Sequence, residues 1–94
     1  MNVKYAIFVE KEKMVHQELL KRISVNPNVC FGKPCIKGTR IWVSLILDYL
    51  ATGSSMEEIL EAYPHIGKQD ILACLAYGSA MSHEHFVEVE LTRA

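Results

Sequence analysis

Three cysteines and four histidines give this 94-residue chain its most obvious chemical reach. Cys30, Cys35, His65, His83 and His85 are donor types that a zinc ion accepts. Four residues separate the two cysteines, and neither that gap nor the distance to the histidines matches a familiar ligand spacing, so no metal is expected. His83-Glu84-His85 reads instead as an exposed helix end, where a histidine also suits the negative pole of the helix dipole. Cys30, Asp48 and Ser54 stand in no recognisable nucleophile and base arrangement, and no enzyme is expected. Lys37-Gly38-Thr39-Arg40 invites comparison with a phosphate loop, but it lacks the glycine-rich run and the closing Lys-Ser/Thr pair that cradle a nucleotide. No cofactor is expected there. Gly38 is read as a turn residue at positive φ, and Thr39 as a cap for a nearby backbone group.

What remains chemically distinctive is charge. Counting Lys and Arg against Asp and Glu gives 3 and 3 over residues 1–20, 5 and 0 over 21–40, and 2 and 8 over 41–94. A formal net charge of −1 thus hides a basic segment followed by an acidic one. Such asymmetry points to a polyanionic partner on one side and a cationic partner on the other.

The elements that position these charges belong to one domain, because either half alone would be too small to bury a useful core. A chain of this size buries only roughly 60 to 65% of its unfolded surface, so homodimerisation is expected to hide what is left. No segment approaches the roughly 20 apolar residues of a membrane span, nor does MNVKYAIFVEKEK look like a signal peptide. An odd number of cysteines then fits reduced thiols in a cytoplasm rather than a disulfide framework.

Residues 1–20 form an N-terminal arm: 3–9 reads either as a short strand or as the lead into a helix, and Lys11 to Arg22 as a modest amphipathic helix carrying Val15, Leu19 and Leu20. From Ile23 to Val43 short apolar runs are broken by Asn26-Pro27-Asn28, Gly32, Pro34 and Gly38-Thr39, which predicts a small β-hairpin with Pro34 at an edge or a strand start. Val43, Ile46, Leu47 and Leu50 then recur at helical spacing and stop at Gly53. Ser55 with Glu58 forms a capping-box signature for a second helix, with Met56, Ile59, Leu60 and Tyr63 apolar, ending at Pro64. Gly67 caps a third from Lys68 toward Met81, bearing Ile71, Leu72, Leu75 and Ala76. In the tail, residues 83–94, the alternation of Val87, Val89 and Leu91 with Glu88 and Glu90 predicts a half-buried strand. Trp42, Tyr49, Tyr63 and Tyr77 lie in or beside the apolar stripes and are read as packing residues.

Two helices joined by a tight turn match the helix-turn-helix arrangement, whose second helix reads a major groove in DNA-binding proteins. On the third helix only Lys68 and Gln69 offer the side chains such reading uses, and Asp70 opposes it. The hairpin cations would supply the affinity through phosphate contacts.

The stretch Phe31-Gly32-Lys33-Pro34-Cys35-Ile36-Lys37-Gly38-Thr39-Arg40-Ile41, with Asn26-Pro27 before it and Gly53 to Leu60 and Tyr63-Pro64 after it, resembles the prokaryotic domain-of-unknown-function family 433 over about residues 22–82. That resemblance implies a homeodomain-like or winged helix-turn-helix bundle of three helices behind a β-hairpin, commonly dimeric. It also implies a VapB-type antitoxin role against a PIN-like ribonuclease toxin. Family members typically place Thr or Ser where this chain has Gly67.

The expected architecture is therefore α+β, mainly α, with residues 21–82 as hairpin plus helix-turn-helix. The expected function is a cytoplasmic, non-catalytic antitoxin that binds operator DNA through Lys33, Lys37, Thr39, Arg40, Lys68 and Gln69. Glu84, Glu88 and Glu90 are expected to engage the toxin, whose RNA-binding surface is basic. The competing expectation is a protein-interaction or dimerisation module that never meets nucleic acid, in which the charges only keep a β-edge soluble.

Overall fold

Local backbone demands explain most of the architecture in the computed structural model, which describes residues 3–84. Val3–Leu20 contains neither Gly nor Pro and forms α1. Of the two readings of residues 3–9, the helical one is observed, continuous with the helix expected from Lys11. Valine, isoleucine and phenylalanine favour strands only where a partner strand exists, whereas a helix satisfies its backbone groups internally. The tail strand expected at 85–91 lies outside the described residues.

The hairpin is present. β1, Ile23–Ser24, pairs antiparallel with β2, Cys35–Ile36, with Ile23 opposite Ile36 and Ser24 opposite Cys35. Pro34 stands directly before β2, where its missing N–H costs no ladder bond. The segment after β2 folds back on it: the Ile36 N–H donates to the Ile41 carbonyl (3.0 Å), and the Val43 N–H to the Pro34 carbonyl (3.0 Å). Lys37 to Arg40 is the tight loop between these two arms.

α2, Val43–Ala51, follows at once and stops at Gly53, whose φ of +100° suits the glycine. α3, Met56–Ala62, opens with the full capping box. The Ser55 hydroxyl accepts the Glu58 N–H (3.1 Å) and the Glu58 carboxylate accepts the Ser55 N–H (3.0 Å). α4, Lys68–Glu84, is the longest of the three that close the core and touches α1, α2, α3 and both strands.

The core is built of Ile36, Ile41, Val43, Ile46, Ile59, Ile66, Ile71 and Cys74, so hairpin, α2, α3 and α4 share one apolar centre. Burying each such isoleucine contributes about 1.5 to 3 kcal/mol. On α4, Ile71 and Cys74 face this centre, while Ala73 and Ala76 are buried as well. The helix is thus covered on more than one side, and α1 is among its neighbours. The exposed stripe left to α4 runs through Lys68, Leu75 and His83, with Leu72 and Ser79 half-buried between them.

Candidate functional site

The loop Lys37 to Arg40 owes its shape to two residues. Gly38 adopts φ +81°, as its place in the turn requires. Thr39 is half-buried, and its hydroxyl donates to the Ile36 carbonyl (2.7 Å) and accepts the Ile41 N–H (3.0 Å). Its N–H also donates to the Ile36 carbonyl (3.0 Å). Thr39 therefore holds the loop closed from within, while Lys37 and Arg40 on either side are exposed.

A second, longer loop joins β1 to β2. The Asn26 side-chain oxygen accepts the Asn28 N–H (2.9 Å) and its carbonyl accepts the Val29 N–H (3.0 Å), an Asx-type turn. Cys30, Phe31 and Gly32 then carry φ angles of +53°, +58° and +77° in succession. For the two non-glycine residues this left-handed conformation costs on the order of 1 to 2 kcal/mol each. The turn buries Cys30 and turns Phe31 outward, 93% exposed.

Together the two loops enclose a concavity of about 530 Å³ lined by Ser24, Asn26, Val29 and the loop from Lys37 to Arg40. The charges around it sort cleanly. Lys21 pairs with Glu18 (3.0 Å) and Arg22 with Asp70 (3.3 Å). The Lys33 ammonium lies 4.1 Å from the centre of the Trp42 ring, a cation–π contact. Among the described residues, Lys37 and Arg40 have no acidic partner, and both line the same hollow.

The six residues expected to meet DNA are thus not gathered in one place. Lys37, Thr39 and Arg40 come together. Lys33 lines a different, mostly apolar groove with Pro34, Val43, Leu47, Tyr77 and Met81. Gln69 lines a third, with Met14, Val15, Glu18, Leu19 and Arg22. Lys68 is exposed at the first residue of α4. Glu84 is the last residue of α4, and Glu88 and Glu90 lie outside the described residues.

The start of α4 is organised by Asp70. One carboxylate oxygen accepts the Gly67 N–H (2.9 Å) while the other receives Arg22. The first bond is one half of a capping box, the half that Gly67 can make without a hydroxyl, and it puts an acid where a groove-reading helix would present a donor.

The thiols are buried rather than poised. Burial pushes Cys35 up to about 11, with the neighbouring Cys30 adding to the rise, and pushes Cys74 up to about 12. Groups this reluctant to ionise are poor nucleophiles at neutral pH. No three His, Cys, Asp or Glu side chains among the described residues stand close enough to hold a metal ion. None of the described helices is long and apolar enough to cross a membrane.

Ser24, Asn26 and Val29 in the hollow, and the exposed Phe31 close by in the chain, are residues that spacing did not single out for a site. Only Phe31 carried a signal, as a large apolar side chain inside a turn-rich, acid-free run.

The sequence profile of the family described as "Protein of unknown function (DUF433)" matches residues 23–78, the span from β1 to the second half of α4. A crystal structure of a DUF433 member protein from Anabaena variabilis ATCC 29413 superposes with a TM-score of 0.64 at 26% sequence identity, covering 89% of this chain and 93% of that one. Among curated proteins there is no match.

Proposed function

The chain belongs to the DUF433 family, and we propose that it is a non-catalytic, antitoxin-like protein that grips the phosphate backbone of nucleic acid, operator DNA in the first instance. The observation that carries this reading is the pair Lys37 and Arg40, the two hairpin cations without an internal partner among the described residues, set in one hollow. Lysine and arginine that neutralise phosphates release the counterions condensed on the nucleic acid, which supplies sequence-independent affinity. Ser24 and Asn26 add polar side chains to the hollow's lining.

α4 contributes position more than sequence reading, because beyond Lys68 and Gln69 its outer stripe offers exposed Leu75 between half-buried Leu72 and Ser79. Recognition in this proposal rests on backbone contact and nucleic-acid shape rather than on base edges in a major groove. Neutralising a ribonuclease toxin, the second half of an antitoxin's work, falls in this proposal to the acidic C-terminal segment containing Glu84, Glu88 and Glu90.

Binding of a labelled fragment of the upstream DNA, followed by fluorescence anisotropy as salt is raised, tests the first half. The expected result is affinity that falls steeply between 50 and about 200 mM salt. Absence of binding at low salt would leave a protein-interaction module. One observation favours that second reading: Met14 and Val15 on α1 and Leu75 on α4 are exposed. Sedimentation would show it as a dimer dissociated by Val15→Asp.

A further inference from the structure

Among the described residues Phe31 is the most exposed of the large apolar side chains, and it sits in a left-handed backbone conformation that is strained for a non-glycine residue. A free phenylalanine on a loop ordinarily folds down onto neighbouring apolar surface. Here Cys30 takes the buried place and Phe31 faces outward in a run of three consecutive residues with left-handed backbone. Such conformations persist where the surrounding structure holds them, and they cluster at binding sites. The holding bonds are visible: the Gly32 N–H donates to the Val29 carbonyl (3.1 Å) and the Lys33 N–H to the Cys30 carbonyl (3.0 Å).

Phe31 follows closely in the chain on a residue of the hollow already described. Val29 lines that hollow, and two residues of extended chain span at most about 7 Å. An exposed aromatic ring two residues along the chain from a hollow that holds two unpartnered cations supplies the parts of a single-strand binder: a basic groove for the backbone and a ring on which a base stacks.

Resting on the nucleic-acid reading above, we propose that Phe31 stacks on an unstacked base, so that this site prefers nucleic acid with unpaired bases to intact duplex. An operator duplex would present such a base at a step flexible enough to open. Two other occupants fit less well. A second copy meeting this loop would bring its own Lys33, Lys37 and Arg40 against the same three residues, with no acid between residues 21 and 40 to offset them. A lipid surface is flat, whereas the unpartnered cations line a concavity.

The test uses the full chain, a labelled twelve-nucleotide single strand that cannot pair with itself, and the duplex of the same sequence. Three variants are compared with the unmodified protein: Phe31→Ala, Phe31→Trp, and the double variant K37A/R40A. Phe31→Ala is expected to weaken single-strand binding about tenfold while changing duplex binding less than about twofold, and Phe31→Trp to restore it. K37A/R40A is expected to weaken both. Equal binding by Phe31→Ala and the unmodified protein, with K37A/R40A still weakened, overturns the stacking role and leaves the phosphate site standing. No binding of either strand by the unmodified protein overturns both. Phe31-dependent binding to vesicles of phosphatidylserine and phosphatidylcholine without strand binding, or a dimer lost in Phe31→Ala, assigns the ring to lipid or to a second copy and overturns it too.

Discussion

The Thr39 hydroxyl both donates to Ile36 and accepts from Ile41, which is the backbone-capping role expected of it, so the hydroxyl also expected at DNA is engaged within the loop. Thr39→Ala leaves the Ile41 N–H without its partner in a half-buried place and should cost about 1 to 3 kcal/mol in urea unfolding, while Thr39→Ser should cost little. Phe31 behaves in the opposite sense. Phe31→Gly removes a strained left-handed residue at the expense of a freer unfolded chain, and little buried surface is lost. Its stability should therefore stay within about 0.5 kcal/mol of the unmodified protein or rise by up to about 1 kcal/mol, and a loss beyond about 1 kcal/mol would show that the ring packs on something. Gly38 was legible because a turn between two apolar runs needs positive φ. Phe31 was only half legible, since its exposure depends on φ angles at Cys30 and Phe31 that no propensity favours.

Local chemistry made the elements readable wherever it acted over a few residues. Ser55 and Glu58 announced α3 because a capping box is complete within four positions. Ser55→Ala should cost about 1 kcal/mol. The hydrogen bond from the Ser55 backbone, joined by its side chain, holds the Glu58 carboxyl below its ordinary value of 4.5. A lowered folded value means that this contribution is present above pH 4.5 and lost as the pH falls below it. Thermal unfolding from pH 6 to 3 should show that loss, and Glu58→Gln should flatten it. The start of α4 was read correctly at Lys68 after Gly67, but the contacts that organise it were not. Its closure by Asp70 is local, but the Arg22 that meets Asp70 lies 48 residues away, and only the docking of the hairpin against α4 brings them together. How much of α4 is covered was hidden too, because buried Ala73 and Ala76 look like neutral helix formers in a sequence.

For the whole molecule, a single core shared by hairpin and helices sets both its stability and its charge layout. Cys35 and Cys74 lie in that core with thiols raised by burial to about 11 and about 12, against 9.0 for the unfolded chain. A raised folded value means the unfolded chain releases protons first, so stability is full below pH 9 and declines as the pH climbs toward 11. Urea midpoints from pH 7 to 10.5 should record that decline, and Cys74→Ala should lower the midpoint at pH 7 but reduce its slope above pH 9. The sequence's acid-free segment correctly located the excess of positive charge. It could not show that Lys21 and Arg22 are paired while Lys37 and Arg40 have no acidic partner among the described residues, because pairing is decided by the fold. The most direct test compares the salt dependence of nucleic-acid binding for the unmodified protein and for K37A/R40A. If those two side chains meet phosphates, the log–log slope should shrink in magnitude by about 1.4 to 1.8. An unchanged slope and affinity in the double variant would contradict the account.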